Sequence, residues 1–383
     1  MVGIMVCLSL VLAYGLFFKL IIKIACLLGI GFYVMRQLII HKNNIWHNLL
    51  PSTFLNKPIG IFLIAAFLSC LFGVSFNYSQ QIFFSRYLMY IALFFLAVVV
   101  AKDSLTTKVI ITIFLLGACV ISLGGIFDWF ILKPNRLHTS FGSGHLGLDL
   151  YYAMAMPMAI AVFLFGSNRG IKIIAAIAAL LSFPCVAWNN YRSLMAGIAI
   201  VILFLAWFKR RPRLIYLALL VIAGFSLLAF AQLKYRHAFR GDDLLSGRTY
   251  VWKSAIDMWK THPWFGVGLR NYPKLMLQYE AFPKAINRRL HNAHSAYLQI
   301  LAEMGIIGLI AFLSIFAVFI TYILRQRENI CRLADSSVIL GVIAGVICSL
   351  VGGLVEIYFI YLPGHSAIFW VLLGLGVGLL EKV

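Results

Sequence analysis

The sequence predicts an all-α polytopic membrane protein, and three observations predict it. The 383 residues are 63% hydrophobic and 11% charged, against about 25% charged in soluble domains. The apolar runs are continuous rather than alternating, which makes them helices; in lipid only helices or closed barrels satisfy the backbone. A single long polar stretch, residues 234–294, interrupts the apolar pattern. A span takes roughly 20 apolar residues, so the chain has room for about twelve spans, one large loop and short turns.

Spans are expected near 2–18, 20–40, 58–76, 85–101, 109–128, 149–166, 171–188, 192–208, 214–233, 297–323, 337–356 and 365–380. This divides the chain into an N-terminal bundle of about nine spans (1–233), the polar loop (234–294) and about three C-terminal spans (295–383). The first segment, MVGIMVCLSLVLAYGLFFK, has no basic leader and no A-x-A site, so it reads as a retained span rather than a cleaved signal. One set of connections, which includes KRRPR at 209–213, carries 15 Lys and Arg, against six in the short connections of the other set. Short-loop cations stay in the cytoplasm. Both termini are then cytoplasmic, and residues 234–294 form a periplasmic loop on the outer face of a bacterial inner membrane. The net charge of +20 reads as this bias plus anionic membrane lipids as partners. Nucleic acid is excluded as a partner because the cations are dispersed and no binding motif is present.

The loop holds 11 of the 32 Lys and Arg against four acids, Asp242, Asp243, Asp257 and Glu280. It is too long for a connector, and long loops in compact folds are usually functional. Within it RTYVWKSAIDMWK predicts a helix over 248–260, with Trp252, Ile256 and Trp259 on one apolar face. THPWFGVGLRNYP then breaks the helix at Pro263, Gly266, Gly268 and Pro273. A second short helix follows from Pro273 with Asn271 as a cap. RRLHNAH leads into the next span. With Asn292 as that span's cap, His294 falls about two residues inside its N-terminus, where the helix dipole favours a neutral imidazole able to accept a proton. His291 is a rival three residues earlier, and an interfacial histidine bonded to a neighbour is the structural alternative for both.

Cations on the same face are candidates for holding an anionic substrate. Arg192 opens a span in NNYRSLMAG and Arg86 lies in QQIFFSRYLMY; each could instead simply snorkel to the interface. Lys133 and Arg136 occupy a second outer loop beside a flexible FGSGH. Arg248 opens the loop helix, and Arg289 stands in RRLHNAH. No DxD pattern or Cys/His spacing lies in the outer loops, and Asp242-Asp243 is a bare pair with no histidine partner, so neither a metal nor another cofactor is expected, and arginines would have to neutralise a pyrophosphate. None of the seven cysteines falls in the long loop, which is therefore not disulfide-stapled.

Three segments resemble the O-antigen ligase and O-antigen polymerase superfamily. They are YRSLMAGIAIVILF, SGRTYVWKSAIDMWKTHPWFGVGLRNYP and HSAYLQILAEMGIIGL, in the family's order and together 58 of the 383 residues. The family usually has Asn after the histidine, where this chain has Ser295; the spacing to Tyr297 and Leu298 still selects His294 over His291. The resemblance implies a metal-independent, inverting glycosyltransferase. Its donor would be an undecaprenyl-pyrophosphate-linked glycan and its acceptor, on the ligase branch, a sugar hydroxyl of lipid A–core. His294, Arg248 and Arg192 are the catalytic residues so implied, with Arg86, Arg136, Arg289 and His291 as substrate-binding candidates. A polymerase or a protein O-oligosaccharyltransferase of the same superfamily is the alternative. A lipid-linked sugar transporter is the alternative of another class; midplane ionisable groups and internal repeats would mark one, and neither is visible.

Overall fold

The computed structural model describes residues 2–14, 19–40, 51–132, 145–189, 192–236, 248–279, 292–357, 359, 361 and 363–383. Among them every regular element is helical: α1 (Val2–Tyr14), α2 (Lys19–Ile40), α3 (Asn56–Phe72), α4 (Phe76–Ile82), a π-helical turn (Phe83–Tyr87), α5 (Leu88–Val100), α6 (Ser104–Leu132), α7 (His145–Phe165), α8 (Arg169–Asn189), α9 (Arg192–Phe208), α10 (Leu214–Arg236), α11 (Arg248–Thr261), α12 (Tyr272–Tyr279), α13 (Ala296–Arg325), α14 (Arg327–Arg332), α15 (Ser337–Gly352) and α16 (Pro363–Leu380). Four stretches are long and apolar enough to cross a membrane: Phe76–Val100, Ser104–Ile131, Arg169–Trp188 and Ala296–Arg325. Shorter apolar helices stand at the other expected span positions.

The helices pack through small residues, as expected where lipid tails leave no hydrophobic drive between apolar helices. α15 lies on α7 and α9, and α16 on α5. Gly341 and Gly345 of α15 face Met158 and Met154 of α7, so close that an added Cβ would lie 2.3 and 2.9 Å from the two sulfurs. The descending pairing, 341 with 158 and 345 with 154, makes α15 antiparallel to α7. A Cβ on Gly374 of α16 would come within 2.3 Å of the Phe94 carbonyl on α5.

The bundle has two distinct ends. One gathers the ends of α3, α9, α13 and α16 with the connections at 101–103, 166–168, 209–213 and 333–336. They are tied by Phe54 N to Glu381, Lys382 Nζ to the Lys102 carbonyl, Ser167 to Asp335 and Arg210 to Glu328. The other end gathers residues 73–87, 248–279, 292–296, 353–357, 359 and 361.

Four details differ from the expected layout. The span near 85–101 begins at Phe76 and passes through the π-helical turn. The span near 337–356 stops at Gly352, and residues 353–357 fold back over the start of α13, where the Gly353 and Glu356 carbonyls both accept from Ala296 N. On α11 the buried stripe is Val251, Ser254, Ala255 and Met258. Trp252, Ile256 and Trp259 lie along its margins, about a third of a turn round, because the tight seam with α13 takes the smaller residues and leaves no room for the indoles. Asn271 does not cap α12 with its side chain; its amide donates to Ser79 Oγ and the Val267 carbonyl.

Candidate active site

The site is built where α13 is broken. Gly305 has φ +66° inside α13, a conformation that glycine alone adopts without penalty. The break frees backbone groups that cannot stay unpaired at this depth, and the loop 262–268 fills it. Val267 N and Gly268 N donate to the Ala302 and Glu303 carbonyls at 2.9 and 3.0 Å, and Ile306 N donates back to Pro263 O at 2.9 Å. The approach is backbone on backbone. A Cβ on Gly266 (φ +70°) would sit 2.3 Å from the Glu303 carbonyl carbon, and one on Gly305 would sit 2.3 Å from the Trp264 oxygen. The P-W-F-G-V-G and E-M-G sequences are thus two halves of one joint. Ser69 of α3 adds a 2.6 Å bond to the Glu303 carbonyl.

His294 sits just before α13, outside the helix. The cap is Ser295, whose hydroxyl accepts from Leu298 N, and His294 has φ +44°. This corrects the placement of His294 two residues inside the span: Asn292 does accept from the His294 N–H, at 2.8 Å, but as a turn that precedes the helix. The helix dipole therefore gives way to a different neighbour as the ring's organiser. Nδ1 lies 3.4 Å from Glu356 Oε2. Glu356 Oε1 in turn accepts from Arg248 Nη2 at 2.8 Å. The side chains of Arg248, His294 and Glu356 are 29%, 14% and 11% exposed, so the three form one largely buried polar group reaching the surface through the arginine.

The structure thus joins Arg248 and His294 through a carboxylate that stands 62 residues from the histidine. The sequence signal for Glu356 is its place as a lone acid near the end of an apolar run, since a buried acid in lipid must be paired. Arg86, on the π-helical turn, is half-buried and donates to the Tyr361 carbonyl at 3.1 Å, which ties it to the segment that carries Glu356. π-turns are frequent at functional sites. Arg192 opens α9 and is exposed. Among the described residues no hydrogen bond or ion pair joins it to the other three, but Gly197, just over a turn further on, packs on Cys348 of α15, so Arg192 stands at the α15 end that leads to Glu356. Arg136, Arg289 and His291 lie outside the described residues.

A second buried carboxylate, Glu303, lies beneath this group. Its four donors are Gln299 Nε2 (2.7 Å), Arg270 N (2.7 Å), Tyr272 N (3.4 Å) and Tyr361 OH (2.6 Å). Tyr272 closes the joint from the loop side by donating its hydroxyl to the Val251 carbonyl at 2.6 Å; burial, and then the Glu303 charge, push its phenol above the usual range.

The fold and site define a helical membrane protein with a compact Arg–Glu–His group at one end of its bundle. The family model described as O-antigen ligase matches residues 177–313, a stretch that contains Arg192, Arg248, His294 and Glu303 and stops short of Glu356. The match supports the O-antigen ligase superfamily, whose members are membrane ligases and polymerases resembling glycosyltransferases and acting on lipid-linked glycans and lipid acceptors. No curated protein matches the chain.

Proposed function

We propose that the protein is an O-antigen ligase, moving a glycan from undecaprenyl pyrophosphate to a sugar hydroxyl of lipid A–core. The observation that carries this reading is the Arg248–Glu356–His294 group, two of whose members lie in the family-matched stretch. Neutral His294, donating Nδ1–H to Glu356, has its lone pair on Nε2. That nitrogen takes the acceptor hydroxyl's proton as the oxygen attacks the anomeric carbon. The bond from that carbon to the phosphate oxygen breaks with inversion, and undecaprenyl pyrophosphate leaves with the bonding pair. Arg248 uses one N–H on Glu356 and keeps the rest of its fork for the departing pyrophosphate; Arg192 and Arg86, with Arg136 and Arg289, supply further charge. Stabilising charge that appears only in the transition state raises the rate rather than merely the affinity.

The twelve-span layout, the three-part division at 233 and 294, the periplasmic orientation and the inner-membrane location belong to the same proposal. The charge pattern supports them: the end that carries Lys102, Arg169, Lys209, Arg210, Arg211, Arg213, Arg325, Arg327 and Lys382 is opposite the site. A cysteine placed beside Asp243 should react with an impermeant thiol reagent from outside, and one beside Arg211 should not; the reverse would remove the site from the face where donor and acceptor meet. A transporter reading would use the broken α13, but here the chain's own loop already occupies the break.

The deciding experiment is transfer by purified protein from a polyprenyl-pyrophosphate glycan to lipid A–core, with EDTA present. Transfer is expected with the parent chain, and with His294→Ala only a residual rate about a hundredfold or more lower, while His291→Ala keeps most activity. Transfer only to a second lipid-linked repeat, or to a Ser/Thr peptide, would make it a polymerase or a protein glycosylating enzyme. Full activity in His294→Ala would remove the base.

A further inference from the structure

Glu303 is fully buried and touches none of the reacting groups proposed above, yet three of its four donors stand one step from a residue of the site. Gln299, which donates to Glu303 Oε1, turns its own Oε1 to the Ala293 N–H at 2.7 Å, and Ala293 precedes His294. Tyr361, which donates to Oε2, is five residues beyond Glu356, and its carbonyl takes the Arg86 guanidinium. Tyr272, whose N–H reaches Oε1, donates its hydroxyl to Val251 in the first turn of α11, which Arg248 opens. Arg270, whose N–H reaches Oε2, has φ +62°.

Burying a carboxylate is costly unless its oxygens are filled with donors, and an apolar side chain would pack the same space at less cost. What an apolar residue cannot do is fix three separate segments against one point. His294 also needs such fixing. Its left-handed backbone is uncommon for a non-glycine residue, and such conformations persist when their surroundings over-determine them. Here Asn292 holds the turn from one side and the Gln299–Glu303 pair holds it from the core.

We infer that Glu303 is a positioning residue: through Gln299, Tyr361 and the backbone of 270–272 it sets the distance between His294, Glu356 and Arg248. This rests on the proposed transferase reading, in which those three must meet a substrate in one geometry. Misplacement by about 1 Å can cost about a hundredfold in rate.

The test compares Glu303→Gln, Gln299→Met and Tyr361→Phe in the transfer assay with purified protein, each also made in the His294→Ala background. All three keep the shape of the side chain; the last two remove single links, so they carry the test if Glu303→Gln does not fold. Expected are a fall in kcat of about tenfold or more with donor KM within about twofold, an unchanged elution position, and no further loss in the His294→Ala background. The inference is overturned by parent kcat in Gln299→Met and Tyr361→Phe. It is equally overturned if the variants slow the His294→Ala background by the same factor, since the effect then bypasses the histidine. A fully active His294→Ala would overturn the base assignment first and this inference with it, whereas an inactive His294→Ala beside fully active Gln299→Met and Tyr361→Phe would overturn this inference alone.

Discussion

Two arginine–carboxylate pairs lie at opposite ends of this molecule with nearly the same contact, 2.8 Å for Arg248–Glu356 and 3.0 Å for Arg210–Glu328. Their surroundings differ. Arg210 and Glu328 are 74% and 62% exposed, whereas Arg248 and Glu356 are 29% and 11% exposed. In water the attraction is screened and the side chains lose entropy on pairing, so exposed pairs contribute about 0–1 kcal/mol. Taken out of water, the same pair carries a desolvation cost that its attraction need not repay. A pair that gains little stability from burial, and that also touches a histidine, is kept for what it arranges. The contrast marks the buried pair, and not the exposed one, as the candidate site.

Breaking the buried pair should have the largest effect. Arg248→Ala removes a preorganised donor, a loss of roughly 3–4 kcal/mol in the transition state, and strands Glu356 as an uncompensated charge. Transfer should fall by two orders of magnitude or more, with Arg248→Lys recovering only part because it lacks the planar fork. Stability should fall as well, and Arg248→Ala combined with Glu356→Ala should regain much of the stability and none of the activity. Thermal melts of the single and double variants check this: equal melting temperatures in Arg248→Ala and the double variant would show that Glu356 is not stranded when the arginine goes.

Next in size is the joint under the site. Gly305→Ala places a methyl 2.3 Å from the Trp264 oxygen at a φ of +66°, so the loop and α13 must part. A loss of about 2 kcal/mol or more and a matching loss of activity are expected. Gly60→Ala, on α3 with open space about it, should gain up to about 1 kcal/mol from helix propensity alone. If the two substitutions behave alike in melts and in transfer, the loop does not depend on that approach.

Much of this was legible in the sequence. Continuous apolar runs gave a helix at every expected span position, because that signal is set by composition along the chain and needs no partner. RTYVWKSAIDMWK gave α11, and the spacing of Tyr297 and Leu298 singled out the histidine that lies beside Arg248 and Glu356. What sequence order could not give is register between distant segments. Glu356 reaches His294 only because residues 353–357 fold back onto α13, a turn fixed by the Gly353 and Glu356 carbonyls on Ala296 N. Likewise the buried stripe of α11 is chosen by its neighbour α13, so the bulky Trp252 and Trp259 misled where Ser254 and Ala255 decide. The cap moved from Asn292 to Ser295 for a similar reason: both can accept a backbone N–H, and the fold-back onto Ala296 selects the later one.

At the end away from the site, Asp335 allows a pH test of modest size. Burial raises its carboxyl, but bonds from the Ser167 hydroxyl and from the Ser337 hydroxyl and N–H outweigh this, and the net shift is downward from the ordinary aspartate value of 3.8. A depressed folded-state value means stability that is present above the unfolded value and lost as pH falls through the folded one. Melting temperature in detergent should therefore drop on acidification below about pH 4, and less in Asp335→Asn. An identical acid profile in the two proteins would show that the bonds to Ser167 and Ser337 do not couple to folding.

The smallest effect is expected at Arg210–Glu328, and it closes the comparison. Either Arg210→Gln or Glu328→Gln should change stability by less than about 1 kcal/mol, leave transfer at the parent rate, and lose even this difference in molar salt as screening shortens to a few ångströms. Arg327 is the control beside it. It donates Nε and Nη2 to the Phe208 and Trp207 carbonyls at 3.0 and 2.6 Å and lies over the Trp207 ring at 4.4 Å, so it closes the end of α9, where a cation also meets the negative end of the helix. Arg327→Gln should cost more than either partner of the exposed pair, and its cost should persist in salt because hydrogen bonds to carbonyls and ring contact are short-ranged. A double-mutant cycle on Arg210 and Glu328 with a coupling energy well above 1 kcal/mol would show that exposure does not separate the two ends, and that the burial of Arg248–Glu356 is not what distinguishes it.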